Sequence, residues 1–141
     1  MKYRDEAWEL IDYWKIVLVG PVTNAEELLK GETPVLCRIA DLKQVTPTEL
    51  ARYFSLSTAR VAAILNHLEK KGYIRRIHDT EDRRKVYVSP TEEGIGVAGE
   101  KMEELHSKAR SLLEALGPED AREYVRLTGK VARYVKKQME E

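Results

Sequence analysis

A single cysteine, Cys37, excludes an internal disulfide. The three histidines, His67, His78 and His106, fall on separate stretches with no carboxylate or thiol spaced beside them, so no metal site is expected. Cofactor chemistry lacks its parts as well: there is no glycine-rich phosphate loop and no nucleophile spaced with a base, and Gly94, Gly96 and Gly99 lie inside a helical pattern. The expectation is therefore no enzyme, no cofactor and no metal. Long apolar runs are missing too. The longest uncharged stretch, residues 16–25, is about half of what a membrane span needs. The opening Met1-Lys2-Tyr3-Arg4-Asp5-Glu6 has no signal-peptide pattern, so a cytoplasmic chain without a membrane partner is expected. Net charge is absent as well, with 24 basic residues against 24 acidic ones.

What is present is a chain of 141 residues, 43% hydrophobic and 34% charged, which suits one folded, soluble domain. The charges are unevenly placed. Residues 1–42 hold 5 basic and 8 acidic side chains, residues 43–88 hold 10 and 5, and residues 89–141 hold 9 and 11. A basic middle between acidic flanks is the footprint of a face that meets a polyanion, although scattered surface lysines produce the same excess.

Proline preceded by a small polar residue predicts helix starts near residues 34, 47, 90 and 118, at Thr33-Pro34, Thr46-Pro47, Ser89-Pro90 and Gly117-Pro118. Thr46 to Glu49 and Ser89 to Glu92 also have capping-box spacing, and Asn24 to Glu27 repeats it without proline. Apolar residues recur every three or four positions at Tyr3, Ala7, Leu10, Trp14 and Val17. They do so again from Ile95 through Ala98, Met102, Leu105, Ala109 and Leu112 to Leu116, and more weakly from Ala121 to Gln138. These stripes exceed what a small central lobe can cover, so they pack on each other or on a second subunit. Strand signal is confined to residues 73–78 and 85–89, a hairpin around a polar loop.

Residues 47–66 read as a helix-turn-helix. Ala51 is the small residue that lets the helices approach, and Leu50, Phe54, Leu56, Val61, Ile64 and Leu65 hold them together. Ser57 caps the second helix, which ends at Gly72, and Ser55 stands where the turn usually has glycine. The exposed positions of that helix are Thr58, Ala59, Arg60, Ala62, Ala63, Asn66 and His67. Any two short amphipathic helices match such a pattern now and then. The hairpin that follows, with Arg83, Arg84 and Lys85 at its tip, turns it into a winged helix suited to double-stranded DNA. The competing class is a winged-helix module for protein–protein contact, or a dimeric scaffold, neither of which needs that basic tip.

The run Val45 to Ala51, Ser57 through Leu68-Glu69-Lys70-Lys71-Gly72-Tyr73-Ile74-Arg75-Arg76, Asp82-Arg83-Arg84, and Val88 through Gly94 resembles the multiple-antibiotic-resistance regulator (MarR) family. The likeness is close over residues 33–95. The Asp82-x-Arg84 pattern is its most specific element. Pro90 stands where the family usually has leucine, and Ala63 where its recognition helix often has arginine. The resemblance implies a mainly α fold with a small β-hairpin wing, in which residues 1–141 form one domain. Residues 1–32 and 90–141 would be a helical dimerisation region and residues 33–89 a DNA-binding lobe. It implies a cytoplasmic homodimeric repressor that reads a pseudo-palindromic operator. Thr58, Ala59, Arg60 and Ala62 would then face base edges, and Ser57, Asn66 and His67 would lie near phosphates. Arg84, flanked by Arg83 and Lys85, would reach the minor groove with Asp82 bracing it, and Thr46 and Thr48 would offer a further phosphate contact. The resemblance also implies release by a small aromatic or phenolic effector, for which Trp8, Asp12, Tyr13 and Arg38 are candidates. For Trp8, Tyr13 and Trp14 the competing role is to fill the dimer core. Cys37 is read as a small buried apolar residue.

Overall fold

The computed structural model describes residues 2–19 and 31–140; the capping pattern at Asn24 to Glu27 lies outside them. Two compact units divide the chain, Met1–Leu105 and His106–Glu141. The element order is α1 (Arg4–Val19), α2 (Glu32–Leu42), α3 (Pro47–Phe54), α4 (Thr58–Lys70), β1 (Ile74–His78), β2 (Val86–Pro90), α5 (Glu92–Leu116) and α6 (Pro118–Met139).

Two predicted helix starts hold and two move. Thr46 forms its capping box: its Oγ1 accepts the Glu49 N–H at 3.1 Å, and its own N–H donates to the Glu49 carboxylate at 3.0 Å. Gly117 and Pro118 open α6. The helix expected from Pro34 begins earlier, at Glu32, with Gly31 as its cap. Pro34 is then the third helical residue, where a missing N–H is still harmless because the first turn has no partners for its donors. Ser89 and Pro90 end β2 instead of starting α5. Pro90 pairs opposite Ile74 at the strand's end, a position that tolerates proline. Thr91 takes over as the cap, accepting the Gly94 N–H at 3.0 Å and donating its hydroxyl to the Gly72 carbonyl at 2.6 Å.

The core of the first unit is drawn from α2 to α5 and the hairpin, and among the described residues α1 contributes nothing to it. Val35, Leu36 and Ile39 come from α2, Leu50 from α3, and Val61, Ile64, Leu65 and Leu68 from α4. Ile74 and Val88 close it from the hairpin, and Ala98 from α5. β1 and β2 are antiparallel, in register from Ile74 opposite Pro90 to His78 opposite Val86. Val45 extends that pairing, exchanging backbone hydrogen bonds of 3.0 and 2.7 Å with Val88. The wing's return strand therefore grips the residue next to the Thr46 cap.

Outside this core the apolar stripes stay uncovered within one chain. On α1, Trp8, Tyr13, Trp14 and Ile16 are exposed, and on α6 none of the described residues is buried. None of the described helices is long and apolar enough to cross a membrane.

Candidate nucleic-acid interface

Helix α3 ends in the tight turn that the helix-turn-helix requires. Ser55 adopts the left-handed conformation (φ 53°, ψ 44°), which glycine normally supplies, and the Leu56 N–H closes back on the Ala51 carbonyl at 2.9 Å. Two residues later Ser57 caps α4, its Oγ accepting the Arg60 N–H at 3.1 Å. At the far end Gly72 takes a positive φ, and the Gly72 and Tyr73 N–H groups return to the Glu69 and Leu68 carbonyls, a Schellman stop. Between these ends Val61, Ile64, Leu65 and Leu68 face inward, which leaves Thr58, Ala59, Arg60, Ala62, Ala63, Asn66 and His67 exposed, as their spacing requires.

The wing tip is built by carboxylates aimed at its own backbone. Asp79 Oδ1 accepts the N–H groups of Glu81 and Asp82 at 2.8 and 3.2 Å, while its other oxygen accepts the Tyr87 hydroxyl at 3.4 Å. Those backbone hydrogen bonds hold the Asp79 carboxyl below its ordinary pKa. Asp82 Oδ1 accepts both the backbone N–H and the side-chain Nε of Arg84, at 3.0 and 3.2 Å. Held in this way, the Arg84 side chain is 93% exposed. Arg83 and Lys85 are exposed beside it.

Three features were not legible in the residue pattern. Asp79 organises the loop, although Asp followed by polar residues is an ordinary Asx-turn signal. His78 Nδ1 lies 3.2 Å from the Arg83 carbonyl. The Glu32 carboxylate pairs with both His67 and Lys71, joining the start of α2 to the end of α4. Partial burial alone would raise the pKa of Glu32, but the hydrogen bonds and charge of Lys71 and His67 outweigh it, and the net shift is downward. No sequence spacing links residues 32, 67 and 71.

The effector candidates do not converge. Trp8 and Tyr13 are exposed on α1; Tyr13 donates to Glu9 at 2.5 Å, and Asp12 holds Lys15 at 3.2 Å. Arg38 instead lays its guanidinium over the Tyr53 ring at 4.0 Å. It borders a cavity of about 220 Å³ with Cys37, Tyr53, Phe54, Lys101 and Met102, which none of the other three candidates lines. Cys37 is half-buried, its thiol pKa pushed up by that burial and by the charge of Asp41. Among the described residues no His, Cys, Asp and Glu side chains gather to hold a metal ion.

A family model described as "MarR family" matches residues 30–86. The helix-turn-helix-type transcriptional repressor YetL of Bacillus subtilis is 29% identical over 104 residues, covering 72% of this chain and 62% of that one. The chain thus spans less than two thirds of that relative's length. Among solved structures, YusO of Bacillus subtilis superposes with a TM-score of 0.71 at 22% identity, covering 92% of this chain and 93% of its own. FabT of Streptococcus pneumoniae, crystallised in complex with DNA, gives a TM-score of 0.72 at 22% identity, with 99% of this chain and 98% of that one covered.

Proposed function

The chain belongs to the MarR family, and from that premise we propose that it is a homodimeric, cytoplasmic transcriptional repressor that binds a pseudo-palindromic site in double-stranded DNA. The carrying observation is the wing: a loop whose Asp79 and Asp82 carboxylates accept its own N–H groups while Arg83, Arg84 and Lys85 stand in solvent. A wing that serves only protein contact has no use for such a tip. In the proposed complex Thr58, Ala59, Arg60 and Ala62 meet base edges, Ser57 and Asn66 lie by phosphates, and Arg84 enters the minor groove. Thr46 and Thr48 sit at the N-terminus of α3, where backbone N–H groups and the helix dipole favour a phosphate.

The uncovered stripes of α1 and α6 supply the dimer surface. Two copies would present two recognition helices about one turn of DNA apart. The cavity beside Arg38 supports a small aromatic or phenolic effector, with the guanidinium and Lys101 offering charge to a phenolate or carboxylate.

Two variants test the reading on an operator selected from a random pool. Arg60→Ala is expected to relax preference at one base pair per half-site by about 1–3 kcal/mol. Arg84→Ala is expected to weaken binding to most sequences and to flatten its salt dependence by about one unit per lost phosphate contact. Equal losses on selected and random DNA for both variants, with unchanged salt slopes, would overturn these roles.

A further inference from the structure

Residues Arg60, Ala63, His67 and Lys71 recur at spacings of three and four along α4 and its cap, so the imidazole and the ammonium at the end of the recognition helix continue the stripe that Arg60 begins. Both are already engaged. The Glu32 carboxylate, whose side chain is only 28% exposed, accepts from His67 with one oxygen and from Lys71 with the other. Exposed pairs within one helix flicker open at little cost, but this one joins two elements 35 to 39 residues apart in sequence. The charges of Glu32 and Lys71 also suit their helix ends, the carboxylate at the N-terminus of α2 and the ammonium at the C-terminus of α4.

We propose that Glu32 is a built-in competitor for the DNA backbone: it occupies Lys71 and His67 and so limits how strongly the lobe binds phosphate irrespective of sequence. This rests on the DNA-binding reading above. A phosphate oxygen and a carboxylate oxygen ask the same thing of an ammonium or an imidazole, a charge-assisted hydrogen bond. Either side chain, the Lys71 ammonium or the His67 imidazole, reaches a phosphate only by leaving Glu32. Sequence-independent affinity is set largely by the number of phosphates neutralised, so a carboxylate beside the stripe lowers that term and leaves Arg60 and the helix's first turn free to discriminate.

The test measures the full-length protein on a random-sequence duplex by fluorescence anisotropy across a range of salt concentrations. Glu32→Gln keeps the side chain's size and removes its charge. It should tighten random-duplex binding several-fold and steepen the log–log salt slope by about one unit per lobe. Adding Lys71→Ala to that variant should return the slope to the wild-type value. Lys71→Ala alone should leave the slope unchanged, because Lys71 is not available to phosphate in the wild type; this arm stands even where Glu32→Gln folds poorly. An unchanged or shallower slope for Glu32→Gln, or a loss of about one unit for Lys71→Ala alone, overturns the proposal. Failure of the DNA-binding reading looks different: the wild type itself would then show no salt-dependent binding to duplex.

Discussion

Gly94→Ala should destabilise the first unit, although alanine is the better helix former. A Cβ at residue 94 would stand 1.9 Å from the Tyr73 carbonyl oxygen and 2.8 Å from its carbon, both backbone atoms that no side-chain rotation can clear. That carbonyl accepts the Thr91 N–H at 3.0 Å. Thr91 in turn caps Gly94 and bonds the Gly72 carbonyl. Retreat by the ångström or more that a methyl group needs would therefore pull on this whole joint between the end of α4 and α5. Overpacking of this kind costs about 1–3 kcal/mol, and each hydrogen bond lost adds about 0.5–1.5. The gain in helix propensity returns only about 1 kcal/mol. The expected net loss is about 1–4 kcal/mol. Gly96 and Gly99 lie on the same helix with open space around them, so Gly96→Ala and Gly99→Ala should each stabilise by up to about 1 kcal/mol. Urea unfolding followed by circular dichroism, with midpoints compared at constant m, reads all three. A Gly94→Ala midpoint that rises with the other two would refute the close approach.

Asp79→Ala should disorder the wing tip and weaken DNA binding several-fold while lowering the urea midpoint only slightly, since Asp79 bonds only loop N–H groups and Tyr87; a large fall in the midpoint would contradict so local a role. Val131→Glu changes a side chain that is 58% exposed within one chain, so the helix should survive while the dimer and its operator affinity are lost together; light scattering that shows an intact dimer would place the interface elsewhere. Because the pKa of Glu32 is lower folded than unfolded, its contribution is fully present above the unfolded value near 4.5 and disappears as pH falls through the lowered folded value. The midpoint difference between wild type and Glu32→Gln should therefore shrink below about pH 4.5, and a difference that persists at pH 2 would remove the ionised carboxylate from the account.

Local signals were legible wherever the chain uses neighbours to satisfy its own backbone. The Thr46 box, the Ser57 cap and the Gly72 stop each involve groups within five residues, and each appears where its spacing places it. Ser89-Pro90 misled because the same dipeptide suits a strand end and a helix start; the choice was made by Pro90 packing opposite Ile74 and by Thr91 reaching the Gly72 carbonyl. The exposed face of α4 was readable from helical period alone, since four buried residues on that helix dictate which others are exposed. What stayed hidden needs three dimensions. Glu32 meets His67 and Lys71 through the packing of α2 on α4, and Gly94 is required by a carbonyl 21 positions earlier in the chain.

Charge bookkeeping shows why composition is a poor guide at such a site. Residues 79–85 hold three acidic and three basic side chains, so by formal count the wing tip is neutral. The structure turns two of the three carboxylates, Asp79 and Asp82, onto the loop itself, while Glu81 is exposed like the three basic side chains. Asp79 spends its oxygens on the N–H groups of Glu81 and Asp82 and on the Tyr87 hydroxyl, and Asp82 is 37% exposed against 93% for the Arg84 it holds. A phosphate approaching the tip thus meets guanidinium before carboxylate, and at contact distance, well inside the ~10 Å over which salt screens, the nearer charge dominates. Exchanging Asp82 and Arg84 would leave composition and isoelectric point untouched. It would also remove the acceptor for the residue 84 N–H and put a carboxylate foremost. The polarity of this wing is therefore set by the order of its residues, through the turn that the aspartates make possible.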